Sequence, residues 1–218
     1  MGHPHWPLFD LEVTTPRLTL RYIDDAIAID MVELAALGIH EPGWMPFSIP
    51  WTDVESPELE RNSLQYYWRC RAETTVDHWD LPLAVIVDGT VVGASGLRAD
   101  DFPTMRQFES GSWLGQEFQG QGIGKEMRVA TLTLGFVGLG AEFATTGAWF
   151  DNGPSLGVTK SLGYTETATL RRMRLGHPDR LLQFEMSRAH FIEHVQRDDI
   201  TLGGIDGARE FLGLDQRR

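Results

Sequence analysis

The sequence predicts a mixed α/β fold, and three observations lead to that fold class. Hydrophobic patterning from about residue 12 to residue 190 gives the element order β-α-α-β-β-β-α-β-α-β-β. Two β-rich runs, 81–87 and 90–97, flank Asp88-Gly89, which is typical of a tight hairpin. A strand, a glycine-rich turn and a helix start follow one another within residues 109–130. Strands and helices interleaved in this way pack as helices on a sheet.

Composition bounds the size and the class of the protein. The chain has 218 residues, of which 42% are hydrophobic and 23% charged, as in globular proteins. We see no repeat, linker or low-complexity tract, and we therefore expect a single domain over residues 1–218. Its core should cover about residues 12–190, followed by a C-terminal tail over 191–218.

The charge balance excludes several partners. A net charge of −12 argues against binding to nucleic acid or to anionic membranes, because both need a basic surface. The single Cys70 rules out an internal disulfide framework. No apolar run approaches a membrane span, and residues 1–6 do not resemble a signal peptide, so we expect a cytoplasmic protein. We also expect no metal cofactor.

The first elements follow from local signals. Residues 14–21 alternate as a first strand, and Asp24 and Asp25 indicate a helix start. That helix ends at Gly38, with an apolar face comprising Ile27, Met31, Leu34 and Ala35. A second helix is predicted over 57–72, with an apolar face that includes Leu64, Tyr67 and Trp68.

Residues 39–57 break the periodicity. Four prolines forbid a regular helix or an interior strand there. Trp44, Phe47 and Trp51 are nevertheless too apolar for a solvated linker, so this segment must lie against something. It either packs on the core or forms a wall of an acceptor-binding site.

The second half continues the alternation. Strands are predicted at 106–114, 142–149, 164–170 and 180–187, and helices at 122–138, 155–162 and 189–195. The apolar face of the 122–138 helix comprises Met127, Ala130, Thr131, Leu134 and Val137. In the tail, an apolar helical stub at 208–212 is a candidate dimer contact if it is exposed.

The glycine-rich turn predicts an anion site. Its glycines allow close backbone approach, and the unpaired N–H groups of the following helix turn point at whatever binds there. The dinucleotide fingerprint fails, because Lys125 or Met127 stands where its third glycine belongs. The Walker pattern fails because Glu126 follows Lys125 in place of Ser or Thr.

Gln119-Gly-Gln-Gly122-Ile-Gly124 resembles the pyrophosphate loop of the GCN5-related N-acetyltransferase (GNAT) superfamily. Residues 152–164, Asn-Gly-Pro-Ser…Gly-Tyr, resemble the family's second cofactor segment. Trp113-Leu114-Gly115 and residues 15–18 are typical of the branch containing the ribosomal-protein alanine N-acetyltransferases. The resemblance covers about residues 12–190 and implies a central mixed, mostly antiparallel sheet flanked by helices.

Further runs are similar to bacterial proteins of this branch described as candidate succinyl-CoA transferases: residues 6–10, 45–51 and 110–115. The resemblance implies acetyl-CoA or succinyl-CoA as co-substrate. It also implies a small amine, a protein N-terminus or a lysine as acceptor, with direct attack in a ternary complex. The alternatives are a catalytically silent sensor that binds CoA or acyl-CoA and, less favoured, a dinucleotide-dependent oxidoreductase.

The resemblance also assigns the cofactor-binding residues. Main-chain groups of the loop would bind the pyrophosphate, from Gln119 through Gly120, Gln121, Gly122 and Ile123 to Gly124. Lys125 would either add a cation to this cofactor site or be solvated. Main-chain groups near Trp113 and Leu114 would bond the pantetheine arm, and Asn152 would face the coenzyme.

Catalytic candidates follow from the needs of amine acylation. Glu109, on the strand that should end at the thioester, is the preferred general base; Asp100, Asp101 and Glu117 compete with it. Many family members carry a Tyr general acid where this chain has Thr159. In the ribosomal branch a Ser three residues after the motif Asn can serve instead, so the resemblance implies Ser155 as the candidate proton donor to the thiolate. Arg172 and its arginine neighbours 171 and 174 would either pair with an anionic acyl group or form a charged strand edge.

Overall fold

A computed structural model describes residues 3–215, which form a nine-stranded sheet with the spatial order β7-β8-β6-β5-β4-β3-β2-β1-β9. Only β5 and β6 run parallel; every other neighbouring pair within these residues is antiparallel. The strands are β1 Glu12–Thr14, β2 Thr19–Tyr22, β3 His78–Val87, β4 Thr90–Asp100, β5 Gln107–Leu114, β6 Phe143–Trp149, β7 Thr165–Arg174, β8 His177–Ser187 and β9 Thr201–Gly203. This mixed, mostly antiparallel sheet confirms the predicted fold class.

Helices cover both faces of the sheet. They are α1 Asp25–Leu37, α2 Glu58–Ala72, α3 Phe102–Met105, α4 Ile123–Thr133, α5 Gly153–Ser161, α6 Arg188–His194 and α7 Ile205–Phe211. On one face α1 and α2 bury a cluster that includes Met31 and Tyr67 against Ala84. On the other, α4, α6 and α7 contribute to the larger core, in which Ala130 and Phe191 are fully buried. No helix within residues 3–215 combines the length and the apolar character needed to cross a membrane.

Several local predictions are confirmed. Asp24 caps α1 by accepting the Ile27 N–H at 2.8 Å, because a short acceptor side chain satisfies an unpaired first-turn donor. Asp88 and Gly89 take the left-handed conformation, with φ of 49° and 79°, and join β3 to β4. The 39–57 segment contains no helix or strand, and Phe47 and Trp51 pack beside buried Ile39 and Leu59.

The helix after the glycine loop does not keep its period to the end. Its last turn, Leu134–Gly138, is a π-helix, which shifts the side chains that follow around the helix axis. The prediction that Val137 lies on the apolar face is therefore wrong: Val137 is 45% exposed, whereas Phe136 is fully buried. The prediction that Trp68 lies on the buried face of α2 is also wrong, since Trp68 is 51% exposed and donates to Asp25.

The C-terminal segment is built into the sheet and the core. β9 pairs with β1 in register Val13↔Leu202. Ala208 and Leu212 are fully buried, and the rings of Phe211 and Trp6 pack at 4.8 Å between centroids. The expectation of an exposed apolar stub at 208–212 that could form a dimer contact is therefore wrong, because the apolar side chains of this segment cover the chain's own core.

The parallel pair β5–β6 positions the candidate site. Only three residue pairs join these strands: Gln107↔Phe143, Phe108↔Ala144 and Glu109↔Thr145. Beyond them β5 continues to Leu114 along β4, and β6 continues to Trp149 along β8. We call the region between residues 110–114 and 146–149 the β5–β6 opening.

Candidate active site

The glycine loop leads from the open end of β5 into α4. Gly120 and Gly122 have φ of 73° and 80°, a conformation that costs other residues strain. Gly122 is the N-cap of α4 and contributes no side-chain acceptor, so the first-turn N–H groups stay available. A Cβ placed at Gly120 would meet no atom within 4 Å. The loop is therefore an exposed, positively polarised backbone surface.

Side chains fix the conformation of this loop. The Gln119 amide donates to Ile39 O at 2.7 Å and to Leu114 O at 2.9 Å, tying the loop to the end of α1 and to β5. The Gln121 amide donates to Glu117 O at 2.8 Å. The side chain of Gln119 thus positions the loop, and its main chain remains the part proposed to meet an anion.

Sequence reasoning missed one cation beside the loop. Arg17 follows β1 and donates to Gln121 O at 3.0 Å. Its guanidinium lies 3.6 Å from Glu126 in the first turn of α4 and 3.4 Å from a Cβ built on Gly122. Arg17 and the loop lie 104 positions apart in sequence, so no local pattern pairs them.

A cavity of about 530 Å³ adjoins the loop between α4, the end of α5 and α6. Gly122 and Lys125 form its edge on the loop side. One acidic residue, Glu126, also lines the cavity and is paired with Arg17. Basic side chains from distant segments outnumber it: Lys160, His190, His194 and Arg197. Such a grouping in a chain of net charge −12 favours an anionic ligand. Lys125, predicted as a cofactor cation, lies where loop and cavity meet.

The main chain of β5 offers hydrogen bonds to the opening at alternate residues. The Gly115 N–H donates to Val92 O at 3.0 Å, so Trp113, two residues earlier, directs its main-chain groups toward β4. Thr146 Oγ1 donates to Ser110 O at 2.9 Å across the other edge. Ser112 and Leu114 therefore face the opening. The main chain of Leu114 is therefore directed as expected for a residue that bonds a ligand in the opening. The main chain of Trp113 is directed toward β4, and only its ring lies beside the opening.

Aromatic side chains cover one face of the opening. The Trp51 ring lies 5.8 Å from Trp113 and 5.2 Å from Phe47, centroid to centroid. Trp149 donates to Phe47 O at 3.1 Å, and Trp44 donates to Asp151 at 3.2 Å. The 39–57 segment thus packs on the sheet and borders the opening, which confirms the packing alternative. Its role as a wall of an acceptor-binding site stays a prediction.

Glu109 lies at the closed end of the opening. It belongs to the last residue pair joining β5 to β6, and its side chain is on the exposed face that also carries Gly111 and Trp113. A Cβ at Gly111 would meet nothing within 4 Å, so the space next to Glu109 is open. A cavity of about 290 Å³ reaches Glu109 and is also lined by Asp100 and Asp101.

The second cofactor segment forms the start of α5. Asn152 caps this helix by accepting the Ser155 N–H at 3.2 Å, which leaves the Ser155 hydroxyl outside the cap. Val158 lies 3.9 Å from a Cβ built on Gly124, so α5 flanks the glycine loop. Thr159 is fully buried, and its hydroxyl has no partner among the described residues. Ser155 is half-buried, and its role as the proton donor stays a prediction.

The arginines of β7 differ in environment. Arg172 is exposed and pairs in register with Asp179. Arg174 is only 9% exposed; it bonds Met45 O at 2.8 Å, Asp151 at 2.9 Å and Asp179 at 3.0 Å. Its guanidinium also stacks 5.0 Å from the Trp149 ring centre. Arg174 therefore anchors the 39–57 segment, whereas Arg171 and Arg172 are exposed.

No group of three or more metal-ligand side chains occurs within residues 3–215. The arrangement is that of an acetyltransferase fold: a glycine-rich loop at a helix start adjoins an opening between two parallel strands. A model of the GNAT acetyltransferase domain matches residues 17–165. The chain belongs to this family.

Solved structures share the fold. A RimL ribosomal L7/L12 α-N-protein acetyltransferase in complex with coenzyme A is similar at a TM-score of 0.64 and 16% identity, covering 79% of this chain and 95% of that one. A chimera of the spermidine N-acetyltransferase SpeG from Vibrio cholerae and hSSAT gives a TM-score of 0.64 at 14% identity, covering 82% and 99%.

Proposed function

We propose that the protein is a cytoplasmic acyl-CoA-dependent N-acyltransferase that moves an acetyl or succinyl group to a primary amine. The observation that carries the proposal is the β5–β6 opening, which joins the glycine loop at one end and Glu109 at the other. A thioester lying along it would have its phosphates at the helix start and its acyl carbon near a carboxylate.

The residues fit the parts of the coenzyme. Main-chain N–H groups from Gly120 to Lys125, with Arg17 beside them, would hold the pyrophosphate. The basic wall of the 530 Å³ cavity suits a further phosphate. Ser112 and Leu114 would bond the amides of the pantetheine arm, while Asn152 and the start of α5 would flank it.

The bound thioester supplies an activated acyl carbon, which the amine attacks with its lone pair; a C–N bond forms and the C–S bond breaks. In this reaction Glu109 accepts the proton that the amine nitrogen loses, directly or through water, and returns it to solvent. Ser155 donates its hydroxyl proton to the departing thiolate and is reprotonated from solvent. Trp44, Phe47 and Trp51 exclude water on the acceptor side and hold the acceptor's carbon chain.

The acceptor proposed is a small amine, a protein N-terminus or a lysine. Solved structures of the same fold include proteins named for α-amino and spermidine acetylation. Carboxylates at the acceptor end, Asp100, Asp101 and Glu109, would attract a cationic amine before it loses its proton. Exposed Arg172 is proposed to meet an anionic part of the acyl group or acceptor.

Calorimetric titration with coenzyme A, acetyl-CoA, succinyl-CoA and NAD tests the proposal. We expect binding of the three CoA forms and none of NAD. Release of free thiol from acyl-CoA should then depend on an added amine, such as spermidine or a peptide with a free N-terminus. Absence of CoA binding would refute the cofactor assignment.

One observation favours a second function, a silent CoA-binding sensor. Thr159 stands where many relatives carry a Tyr acid, and it is buried away from solvent. A sensor would bind acyl-CoA with no amine-dependent thiol release across the acceptor panel, and any amine-dependent turnover would exclude it.

A further inference from the structure

The most unusual charged residue in the molecule is Arg128, on the face of α4 that packs against the sheet. It is only 4% exposed. Its guanidinium donates to Thr146 Oγ1 at 3.3 Å and to Ser112 Oγ at 3.2 Å. The Nε–H of the same guanidinium is buried and has no acceptor among the described residues. Both partners are neutral hydroxyls, so the positive charge is not balanced by them.

Arginine is almost never fully buried unless it is paired with an anion, because an uncompensated charge is costly to remove from water. No carboxylate among residues 3–215 forms an ion pair with Arg128. The nearest buried acid in sequence, Glu126, is engaged elsewhere: it accepts from Thr15 at 2.6 Å and lies 3.6 Å from Arg17. Arg128 is thus a buried cation for which the described part of the chain provides no matching anion.

The position of Arg128 identifies which part of a ligand it meets. Ser112 belongs to β5 and Thr146 to β6, so the guanidinium spans the β5–β6 opening. Thr146 is one residue beyond the last ladder pair, Glu109↔Thr145, at the closed end of the opening. The pyrophosphate would lie at the other end, on the glycine loop that follows Leu114. The ligand group that reaches Arg128 is therefore the acyl group.

We propose that Arg128 binds the terminal carboxylate of a dicarboxylic acyl group, such as succinyl, and thereby sets the acyl preference of the enzyme. The inference rests on the proposed function and deepens it. A planar guanidinium with a free Nε–H suits two parallel hydrogen bonds to a carboxylate. Ser112 and Thr146 position the guanidinium. An acetyl group is shorter by the methylene and carboxylate of succinyl, so it makes no such contact.

Calorimetry with coenzyme A, acetyl-CoA and succinyl-CoA tests this assignment on the wild type, Arg128→Gln and Arg128→Met. We expect the wild type to bind succinyl-CoA about ten to a hundred times more tightly than acetyl-CoA, the range of a hydrogen bond to a charged group. Both variants should lose this preference and keep the affinity of the wild type for coenzyme A. That retained affinity also reports that the variants are folded.

Matched variants distinguish a carboxylate site at Arg128 from a site at another arginine. Arg69→Gln removes the same charge from the exposed side of α2 and should leave the preference unchanged. Loss of preference in Arg172→Gln but not in Arg128→Gln would overturn the assignment in favour of the β7 arginine. Equal loss of all three ligands in both folded Arg128 variants would mean that Arg128 bonds the pantetheine arm, which also overturns it.

Failure of this inference and failure of the proposed function give different results. A wild type that binds acetyl-CoA and succinyl-CoA equally well refutes the role of Arg128 and leaves the N-acyltransferase proposal standing. A wild type that binds none of the CoA forms would refute the proposed function itself, whatever the role of Arg128. In turnover, the ratio of kcat/KM for succinyl-CoA to that for acetyl-CoA should fall with Arg128→Gln by the same factor as the binding ratio.

Discussion

The two sides of the β5–β6 opening are built by different means. The side that meets the glycine loop uses main-chain N–H groups at a helix start, within one short run of sequence. The other side uses aromatic rings of the irregular 39–57 segment, held on the sheet by Trp149 and Arg174. The candidate phosphate site therefore has a local signature in the sequence, whereas the position of the candidate acceptor wall depends on contacts between the 39–57 segment and residues distant in sequence.

Charge follows the same division. Basic side chains gather at the cavity beside the loop, although the whole chain carries a net charge of −12. Near Glu109, three carboxylates, including Asp100 and Asp101, line the second cavity together with one cation, Arg98. The polyanionic part of a coenzyme and a cationic amine would thus be drawn to opposite ends of one opening.

The largest effect is expected from Gly122→Val. The φ of 80° at this position forces a β-branched residue into a strained conformation, and its side chain would cover the helix start. Coenzyme A binding should fall below detection in calorimetry, while circular dichroism reports a folded protein. A folded variant with wild-type affinity would contradict the assignment of the loop.

Gly124→Ala is the matched control for that substitution. Gly124 has no left-handed φ, and a Cβ there meets Val158 and Leu114 only at ordinary contact distances of 3.9 and 4.0 Å. Alanine also favours the helix over glycine by about 0.5–1 kcal/mol. We expect an unchanged or higher melting temperature and binding within a few-fold of the wild type.

Glu109→Gln comes next and tests the acceptor end alone. Loss of the general base should lower kcat by about 10²–10⁴-fold, with little change in the affinity for acyl-CoA. Turnover measured with saturating amine gives kcat, and calorimetry gives the affinity. Asp101→Asn, in the same cavity, is the control, and a larger kcat loss in that variant would move the base to the competing carboxylate.

Ser155→Ala should have a smaller effect, again on turnover. Its hydroxyl takes no part in capping α5, because Asn152 accepts from the Ser155 main chain. The melting temperature should therefore stay the same while kcat falls about tenfold, below the usual range for a general acid because water can protonate a thiolate. Wild-type kcat in Ser155→Ala would remove Ser155 from the mechanism.

Asn152→Ala should instead lower the free energy of unfolding by about 1 kcal/mol through loss of the helix cap.

Much of the fold could be predicted because its signals are local. Asp24 and Asn152 cap helices, and Asp88-Gly89 turns a hairpin, each by interactions within a few residues. The mixed, mostly antiparallel character of the sheet was implied by the family resemblance. The glycine loop could also be predicted, because its glycines lie within one short run of sequence; the contacts that Gln119 and Arg17 make to hold it could not.

The rest of the fold and of the candidate site could not be predicted, because it depends on contacts between residues that are far apart in sequence. β9 completes the sheet by pairing with β1, almost the full length of the chain away. Arg17 reaches the glycine loop, and Arg128 reaches both arms of the opening, only because the folded sheet brings them there. Arg128 also lies among buried positions of α4, where an apolar residue is the usual choice.

The smallest expected effect concerns Asp80, which shares the Glu109 side of the sheet one strand beyond Arg98. Burial raises the pKa of Asp80, although Tyr66 donates to it at 3.0 Å. Ionised Asp80 therefore costs folding free energy at neutral pH, and this cost disappears as pH falls below the unfolded value of about 3.9.

Asp80→Asn keeps an acceptor for Tyr66 and removes the buried charge, so its melting temperature at pH 7 should rise by about 2 °C. The difference from the wild type should shrink as the pH is lowered toward 4, because the wild-type carboxyl then becomes neutral. Thermal unfolding across that pH range measures both. If the variant also loses turnover at pH 7, the acceptor site extends across β4 to β3, and its wall is not confined to the 39–57 segment.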